Sequence, residues 1–288
     1  MTNPEVALSI PTGPFITNYH DLGSGDPVLL LHGSGPGVSA YVNWRLTFGS
    51  LSPYFRVLAP DLAGFGFTEV PEDQVYDREI WLQQIVDLLD ALGIEKTHVV
   101  GNSFGGSMAL ALAIAHPSRV DKLVCMGAVG VPFEITAGLD AVWGYEPSEE
   151  LMGRLMRETF AYDPALVTDE LVHLRYLASI RPGVQEKFAS MFPAPRQRWV
   201  DAMAHPEADL RAIPHPTLMI HGRDDLVIPL STSLTLNQWI PDSQVHIFGQ
   251  CGHWTQIEHA DEFGRLVVGF YGADAPCRNP RLSTPFVT

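Results

Sequence analysis

Residues 97–115 read THVVGNSFGGSMALALAIA. The run Thr97-His98-Val99-Val100 is short and apolar, as a buried strand would be. Gly101-Asn102-Ser103-Phe104-Gly105 follows and matches the pattern G-x-S-x-G. Apolar helix formers then continue to His116, and Pro117 ends them. The five-residue pattern alone is weak. Placed between a strand and a helix, it describes a tight turn that lifts a serine hydroxyl above a sheet. The new helix aims free backbone N–H groups and positive dipole at that hydroxyl. The competing reading is a glycine-rich turn with a capping serine.

Similar apolar runs recur along the chain. They are Pro27–Leu31, Arg56–Pro60, Leu123–Met126, Thr217–Ile220 and Gln244–Phe248. Helical patterns alternate with them. Arg78–Leu92 places Trp81, Ile85, Leu88, Leu89 and Leu92 on one stripe and ends at Gly93, and Asp261–Tyr271 is the last. This alternation predicts an α/β fold with a mostly parallel sheet flanked by helices. It lapses between about Val131 and Pro206, where Pro147–Phe160, Asp169–Ile180 and Gln185–Met191 read as helices. The expected organisation is a core formed by 1–131 and 207–288, with a helical cap inserted at 132–206. The tail from Ala273 to Thr288 is polar and proline-containing, and little order is expected there.

The 288 residues are 46% hydrophobic, enough for one sizeable core. Lys and Arg number 18 against 33 Asp and Glu, a net charge of −15. Such a surface repels nucleic acid and anionic lipid, so neither is an expected partner. No apolar run is long enough for a membrane helix, and no signal peptide is read at the N-terminus. The three cysteines, Cys125, Cys251 and Cys277, are widely spaced and suit a reducing cytoplasm rather than a disulfide framework or a zinc site.

A serine hydroxyl needs a base. Where the nucleophile sits on such a turn, the order along the chain is Ser, acid, His. Among 11 histidines, His253 stands out, because it follows the last strand in the short loop Gly249-Gln250-Cys251-Gly252-His253. The acid belongs after the preceding strand, at His221-Gly222-Arg223-Asp224-Asp225. Asp224 and Asp225 compete there; resemblance to related chains, which usually show G-x-x-D after this strand, favours Asp225, and Asp224 then reads as a solvated turn residue. The developing oxyanion requires backbone donors: the amide of Phe104, and one from the loop His32-Gly33-Ser34-Gly35-Pro36-Gly37. There Ser34 is the candidate, with Gly33 next.

Together these residues resemble the α/β-hydrolase fold. The segments LLLHGSGPGVSAYVNWR, VVGNSFGG, ASIRPG, MFPAPRQRWVD, IHGRDD and FGQCGHWTQIEHA are more specific. They resemble the meta-cleavage-product hydrolases, nearest to the 2-hydroxymuconic-semialdehyde hydrolases and their alkylbenzene-pathway relatives. The resemblance implies hydrolysis of a carbon–carbon bond in a ring-opened catechol. The products would be 2-hydroxypenta-2,4-dienoate and a carboxylic acid, with no metal or organic cofactor. It implies Arg175 as the cation for the substrate carboxylate, Gly33, Asn43 and Asn102 as pocket residues, and Trp254 as an aromatic beside His253. Arg196 and Arg198 are weaker candidates, better read as a surface or interdomain pair. Leu139, Trp143, Met191 and Phe192 either shape the acyl pocket or only pack the cap. The resemblance also implies a cytoplasmic homo-oligomer, dimer or larger. The alternative is a carboxylesterase with the same triad, and more remotely a non-catalytic binding protein on this fold. A haloalkane dehalogenase would carry aspartate at position 103.

Overall fold

The computed structural model describes residues 3–272, so the 273–288 tail and Cys277 lie outside the described residues. An eight-stranded sheet runs through the molecule. Its strands are β1 (Leu8–Thr12), β2 (Phe15–Gly23), β3 (Pro27–Leu31), β4 (Arg56–Pro60), β5 (Thr97–Asn102), β6 (Val120–Met126), β7 (Thr217–Gly222) and β8 (Ser243–Phe248). They lie in the order β1-β2-β4-β3-β5-β6-β7-β8. β1, β2 and β4 pair antiparallel, and every other pairing is parallel.

The helices are α1 (Ala40–Leu51), α2 (Arg78–Ala91), α3 (Phe104–Ala115), α4 (Ala137–Trp143), α5 (Glu149–Arg154), α6 (Asp169–Ser179), α7 (Val184–Met191), α8 (Gln197–Met203), α9 (Glu207–Arg211), α10 (Ser231–Trp239), α11 (Thr255–Glu258) and α12 (Ala260–Tyr271). No described helix is long and apolar enough to cross a membrane.

The sheet is covered on both faces, which explains the unbroken apolar runs. Val28 and Leu30 point to one side, among Trp44 and Phe48 of α1 and Phe263 and Val267 of α12. Leu29 and Leu31 point to the other, among Ile85 and Leu89 of α2 and Met108 of α3. Helix α3 is apolar all round and is accordingly buried along nearly its whole length.

The antiparallel pair β1–β2 is absent from the sequence reading, as are α1 and α10. The reason for the strands is chemical. Their buried positions carry polar groups that satisfy one another, so no apolar alternation shows. Thr12 and Thr17 share a buried hydroxyl hydrogen bond of 2.6 Å. Asn18 donates to the buried Asp61 at 2.8 Å. That carboxylate also accepts from Ala40 N at 2.6 Å and Phe67 N at 2.8 Å, tying β2, α1 and the loop after β4 together.

The expected helix Pro147–Phe160 divides into α5 and a widened π-helical turn, Leu155–Phe160. α4 through α9 lie between β6 and β7 in the chain, and their apolar residues Leu139, Trp143, Met152, Phe160 and Phe188 are continuous with the α2–α3 side of the core.

Packing of α3 against the sheet gives a testable contrast. A Cβ on Gly105 would meet the carbonyl oxygen of Leu31 at 2.2 Å, whereas one on Gly49 in α1 meets nothing within 4 Å. Gly105→Ala should destabilise by about 2–3 kcal/mol through overpacking. Gly49→Ala should stabilise by about 0.5–1 kcal/mol through helix propensity. Urea denaturation midpoints of the two variants should move in opposite directions. A shared direction would contradict this packing.

Candidate active site

Every candidate catalytic residue lies just past the C-terminal end of a strand. β3 and β5 are neighbours in register, Leu31 beside Gly101. β4 lies on the far side of β3, so the connections after β3 and β5 diverge and open a crevice there. The loop after β3 and the turn after β5 therefore rise side by side. A Cβ on Gly33 would lie 3.5 Å from that of Ser103.

Ser103 has φ 54° and ψ −114°, in the left-handed half of backbone space that side chains rarely enter. Its N–H donates to Met126 O at 2.8 Å, and its carbonyl accepts from Gly106 N at 2.9 Å and Val129 N at 3.2 Å. These bonds hold the strained residue from both sides. The Phe104 ring is buried and packs edge-on to Trp81 at 4.7 Å between centroids. Phe104 thus reaches the site only through its backbone. As the first residue of α3, its amide has no acceptor within the helix.

The aspartate after β7 meets the histidine after β8. His253 Nδ1 and Asp225 Oδ2 are 2.7 Å apart, with both side chains almost fully buried. Asp225 Oδ1 accepts from Val227 N at 2.8 Å and Ile228 N at 2.9 Å. His221, absent from the sequence candidates, lies 3.3 Å from Asp225 Oδ2 and is anchored by Ser233 Oγ at 2.7 Å. Burial would raise the Asp225 carboxyl, but the His253 and His221 imidazoles outweigh it and hold it well below the usual carboxylate range. An ionised carboxylate on Nδ1 fixes the tautomer, leaving Nε2 of His253 as the free base. No hydrogen bond joins Ser103 to His253 among the described residues, though both face the same cavity. The His253 loop is tied to the segment above it by His253 N donating to Phe160 O at 2.8 Å. Glu258 reinforces this by accepting from Gly252 N and Tyr162 N, both at 2.8 Å.

The glycine-rich loop after β3 is held by His32. Its Nδ1 bonds Gly33 O at 2.8 Å and its Nε2 accepts from Leu62 N at 2.9 Å. A trans peptide sends its C=O and following N–H to opposite sides. Pinning the Gly33 carbonyl to His32 therefore turns the Ser34 amide away from that ring. The Gly33 amide is already engaged, donating to Asn43 Oδ1 at 3.2 Å. The Ser34 hydroxyl accepts from Trp143 Nε1 of α4 at 2.9 Å. Gly37, at φ 65°, packs where a Cβ would strike Ser179 N at 2.6 Å, so the loop and α6 need glycine there.

A cavity of about 970 Å³, counting its open mouth, joins these parts. Of the sequence candidates, Gly33, Ser34, Asn43, Asn102, Ser103, His253, Trp254 and Arg175 line it. Of the acyl-pocket candidates, Leu139 lines it. Trp143 instead stacks on Phe192 at 4.6 Å, and Met191 packs against Gly64. Arg196 pairs with Asp140 at 3.2 Å, and Arg198 covers Trp199 at 4.7 Å; neither faces the cavity.

Asn102 Nδ2 donates to Asn43 Oδ1 at 2.9 Å. Asn43 Nδ2, Asn102 Oδ1 and Gln256 Oε1 remain buried without a partner among the described residues. Orphaned polar atoms at an apolar cavity mark where a ligand's polar groups belong. Trp254 stacks on Phe160 at 4.9 Å, closing one wall. Arg175 is half-buried and lines the cavity. Burial, with Arg45 and Arg181 nearby, lowers it to about 10, so it stays charged at neutral pH. Arg45 and Gln256 also line the cavity and are absent from the sequence candidates. Their sole signal would have been α1 and α11 themselves, which the sequence patterns did not reveal.

Residues 26–260 match the family model of the α/β-hydrolase fold. A 2-hydroxymuconate semialdehyde hydrolase of Pseudomonas sp. (strain CF600) is 58% identical, over 95% of this chain and 96% of its own length. A 2-hydroxy-6-oxo-2,4-heptadienoate hydrolase of Pseudomonas putida is 57% identical, over 94% and 98%. Among solved structures, a meta-cleavage product hydrolase of Pseudomonas fluorescens IP01 (CumD), an S103A mutant complexed with acetates, superposes with a TM-score of 0.92. It is 57% identical, over 93% of this chain and 98% of that one.

His32 predicts a pH effect. Burial lowers it to about 4, so the folded chain keeps it neutral where an unfolded chain protonates it near 6.5. Stability should therefore fall as pH drops from about 6.5 towards 4, by up to about 1.4 kcal/mol per pH unit from this group. Buried His205, also near 4, adds the same sign. Asp61, raised by burial to about 6, opposes it over part of the window. Urea midpoints at pH 6.5 and 4.5 should drop less in His32→Gln than in the wild type. Equal drops would contradict the assignment.

Proposed function

The chain belongs to the meta-cleavage product hydrolases of the α/β-hydrolase fold, and we propose that Ser103, Asp225 and His253 carry its reaction. That reaction is hydrolysis of a carbon–carbon bond in a ring-opened catechol, a 2-hydroxy-6-oxo-hexa-2,4-dienoate. The observation that carries the residue assignment is the 2.7 Å contact of a buried, ionised Asp225 with His253, which lines the same cavity as Ser103.

The chemistry follows from where the groups sit. The dienol first becomes a keto form, so the C2 carbonyl can accept electrons. His253 Nε2 takes the proton from the attacking oxygen, either Ser103 Oγ or water, as it adds to the C6 carbonyl. Asp225 stabilises the imidazolium that results. The amides of Ser34 and Phe104 are our candidates for holding the oxyanion. The C5–C6 bond then breaks. Its electron pair forms the C4–C5 double bond, the C3–C4 pair shifts to C2–C3, and the oxygen at C2 takes a proton; C5 gained its own on ketonisation. The fragments are 2-hydroxypenta-2,4-dienoate and an acid from C6, which a water releases from Ser103 when the serine is the attacking group. Arg175 is suited to the substrate carboxylate, and Asn43 and Asn102 to its oxygen at C2.

We read the helices of 132–206 as a cap that shields this step from bulk water, because their apolar Leu139, Val142, Met152 and Met156 line the same cavity as Ser103. The family resemblance supports a homo-oligomer, and two buried free thiols, Cys125 and Cys251, suit a reducing cytoplasm.

The wild type should bleach yellow ring-fission products, and Ser103→Ala should lose at least about 10³-fold in kcat while still binding them. Asp225→Asn should cost about 10³–10⁴-fold in kcat by misplacing the imidazole proton. Stopped-flow absorbance measures both. Full turnover by Ser103→Ala would remove the nucleophile assignment. An enzyme that cleaves p-nitrophenyl esters well but leaves the yellow products untouched would be an esterase instead.

A further inference from the structure

Most described arginines are accounted for by ion pairs, as Arg56 is with Asp21 at 2.7 Å. Arg45 and Arg175 are different. Both line the cavity, and neither has a carboxylate oxygen within 4.0 Å among the described residues. Each is held by one backbone carbonyl. Arg45 Nη1 donates to Val42 O at 2.8 Å, and Arg175 Nη2 donates to Pro36 O at 3.2 Å. A guanidinium has five N–H donors, so each keeps most of its fork free.

The surroundings sharpen the point. The protein carries a net charge of −15 and should repel an anionic ligand at long range. Against that background Arg45 and Arg175 lie near enough to repel each other, and Arg181 adds to the repulsion on Arg175. Arg181 is occupied elsewhere, lying 3.9 Å over the Phe67 ring and donating to Gly66 O at 3.2 Å. Glu5 is the one carboxylate whose charge reaches both cavity arginines. Its own side chain is taken by the Ser39 hydroxyl. Unneutralised like charges at an apolar cavity are costly unless an anion completes them.

We propose that Arg45 is a second anchor for the substrate carboxylate, facing Arg175 so that one anion sits between them. Arg45 belongs to α1 in the core and Arg175 to α6. The bound carboxylate thereby ties α6 to the core as well as orienting the substrate's far end over Ser103. The ligand class is a short unsaturated carboxylic acid whose chain continues into the apolar part of the cavity. This rests on the reaction assigned above, and the two can fail separately.

The test compares Arg45→Met, Arg45→Lys and the wild type. Steady-state kinetics on a ring-fission acid and on neutral p-nitrophenyl acetate give the selectivity between them. Inhibition by sorbate, a dienoic acid with no ketone to cleave, reports carboxylate binding without turnover. Arg45→Met should raise KM for the acid about thirtyfold and lower acid-over-ester selectivity by a similar factor. It should weaken sorbate by at least tenfold, and Arg45→Lys should restore most of each loss. Unchanged sorbate inhibition, or an equal fall on acid and ester, would overturn the proposal. A wild type that ignores the ring-fission acid yet binds sorbate through Arg45 would overturn the reaction assignment alone.

Discussion

The left-handed backbone at Ser103 is the constraint on which the rest depends. A residue with a side chain rests there only if its surroundings over-determine it. The surroundings are three strand ends and a helix: Met126 O takes its N–H, Gly106 and Val129 take up its carbonyl, and Gly105 lets α3 close onto Leu31. The sheet order then decides what else can be near. Because β3 and β5 are neighbours, the His32 loop must rise beside Ser103, and because β6, β7 and β8 follow in turn, Asp225 and His253 arrive from one side. The opposite wall comes from the segment between β6 and β7.

Burial and charge work together in the cavity. Asp225 is almost completely buried, and a lone carboxylate there would take up a proton. Two imidazoles and two backbone amides keep it ionised instead. That preference is what gives His253 its fixed tautomer. Arg175 shows the complementary case, a cation lowered by burial yet still charged. Asp225 lies behind His253, while Arg45 and Arg175 line the cavity itself, and no ion pair joins them among the described residues.

The sequence made the parallel strands and α2, α3 and α12 legible because their apolar patterns are simple. The proposed triad could be put forward for another reason: each member follows a strand, and its order along the chain is fixed by the sheet. What stayed hidden has a shared cause. β2 buries Thr17 and Asn18, whose partners Thr12 and Asp61 are invisible until the chain folds. Arg45 lies on α1, whose buried residues include Asn43 and Thr47, so no clean stripe announces the helix. His32 and His221 each act through a neighbour's hydrogen bond, which spacing cannot report. Trp143, an unranked candidate for the acyl pocket or for cap packing, spends its indole N–H on Ser34 and its ring on Phe192.

The glycine-rich loop gains its meaning from His32. Fixing the Gly33 carbonyl turns the next amide outward, and the Asn43 contact removes the Gly33 amide from competition. The Ser34 and Phe104 amides are the two proposed donors beside Ser103. The most direct measurement is a crystal structure with a boronic acid, which adds to a serine and mimics the tetrahedral intermediate. The account predicts a bond to Ser103 Oγ and one boronate oxygen within about 2.7–3.1 Å of both the Ser34 and Phe104 amides. An oxygen bound instead by the Asn43 or Asn102 side chain, with those amides out of reach, would contradict it.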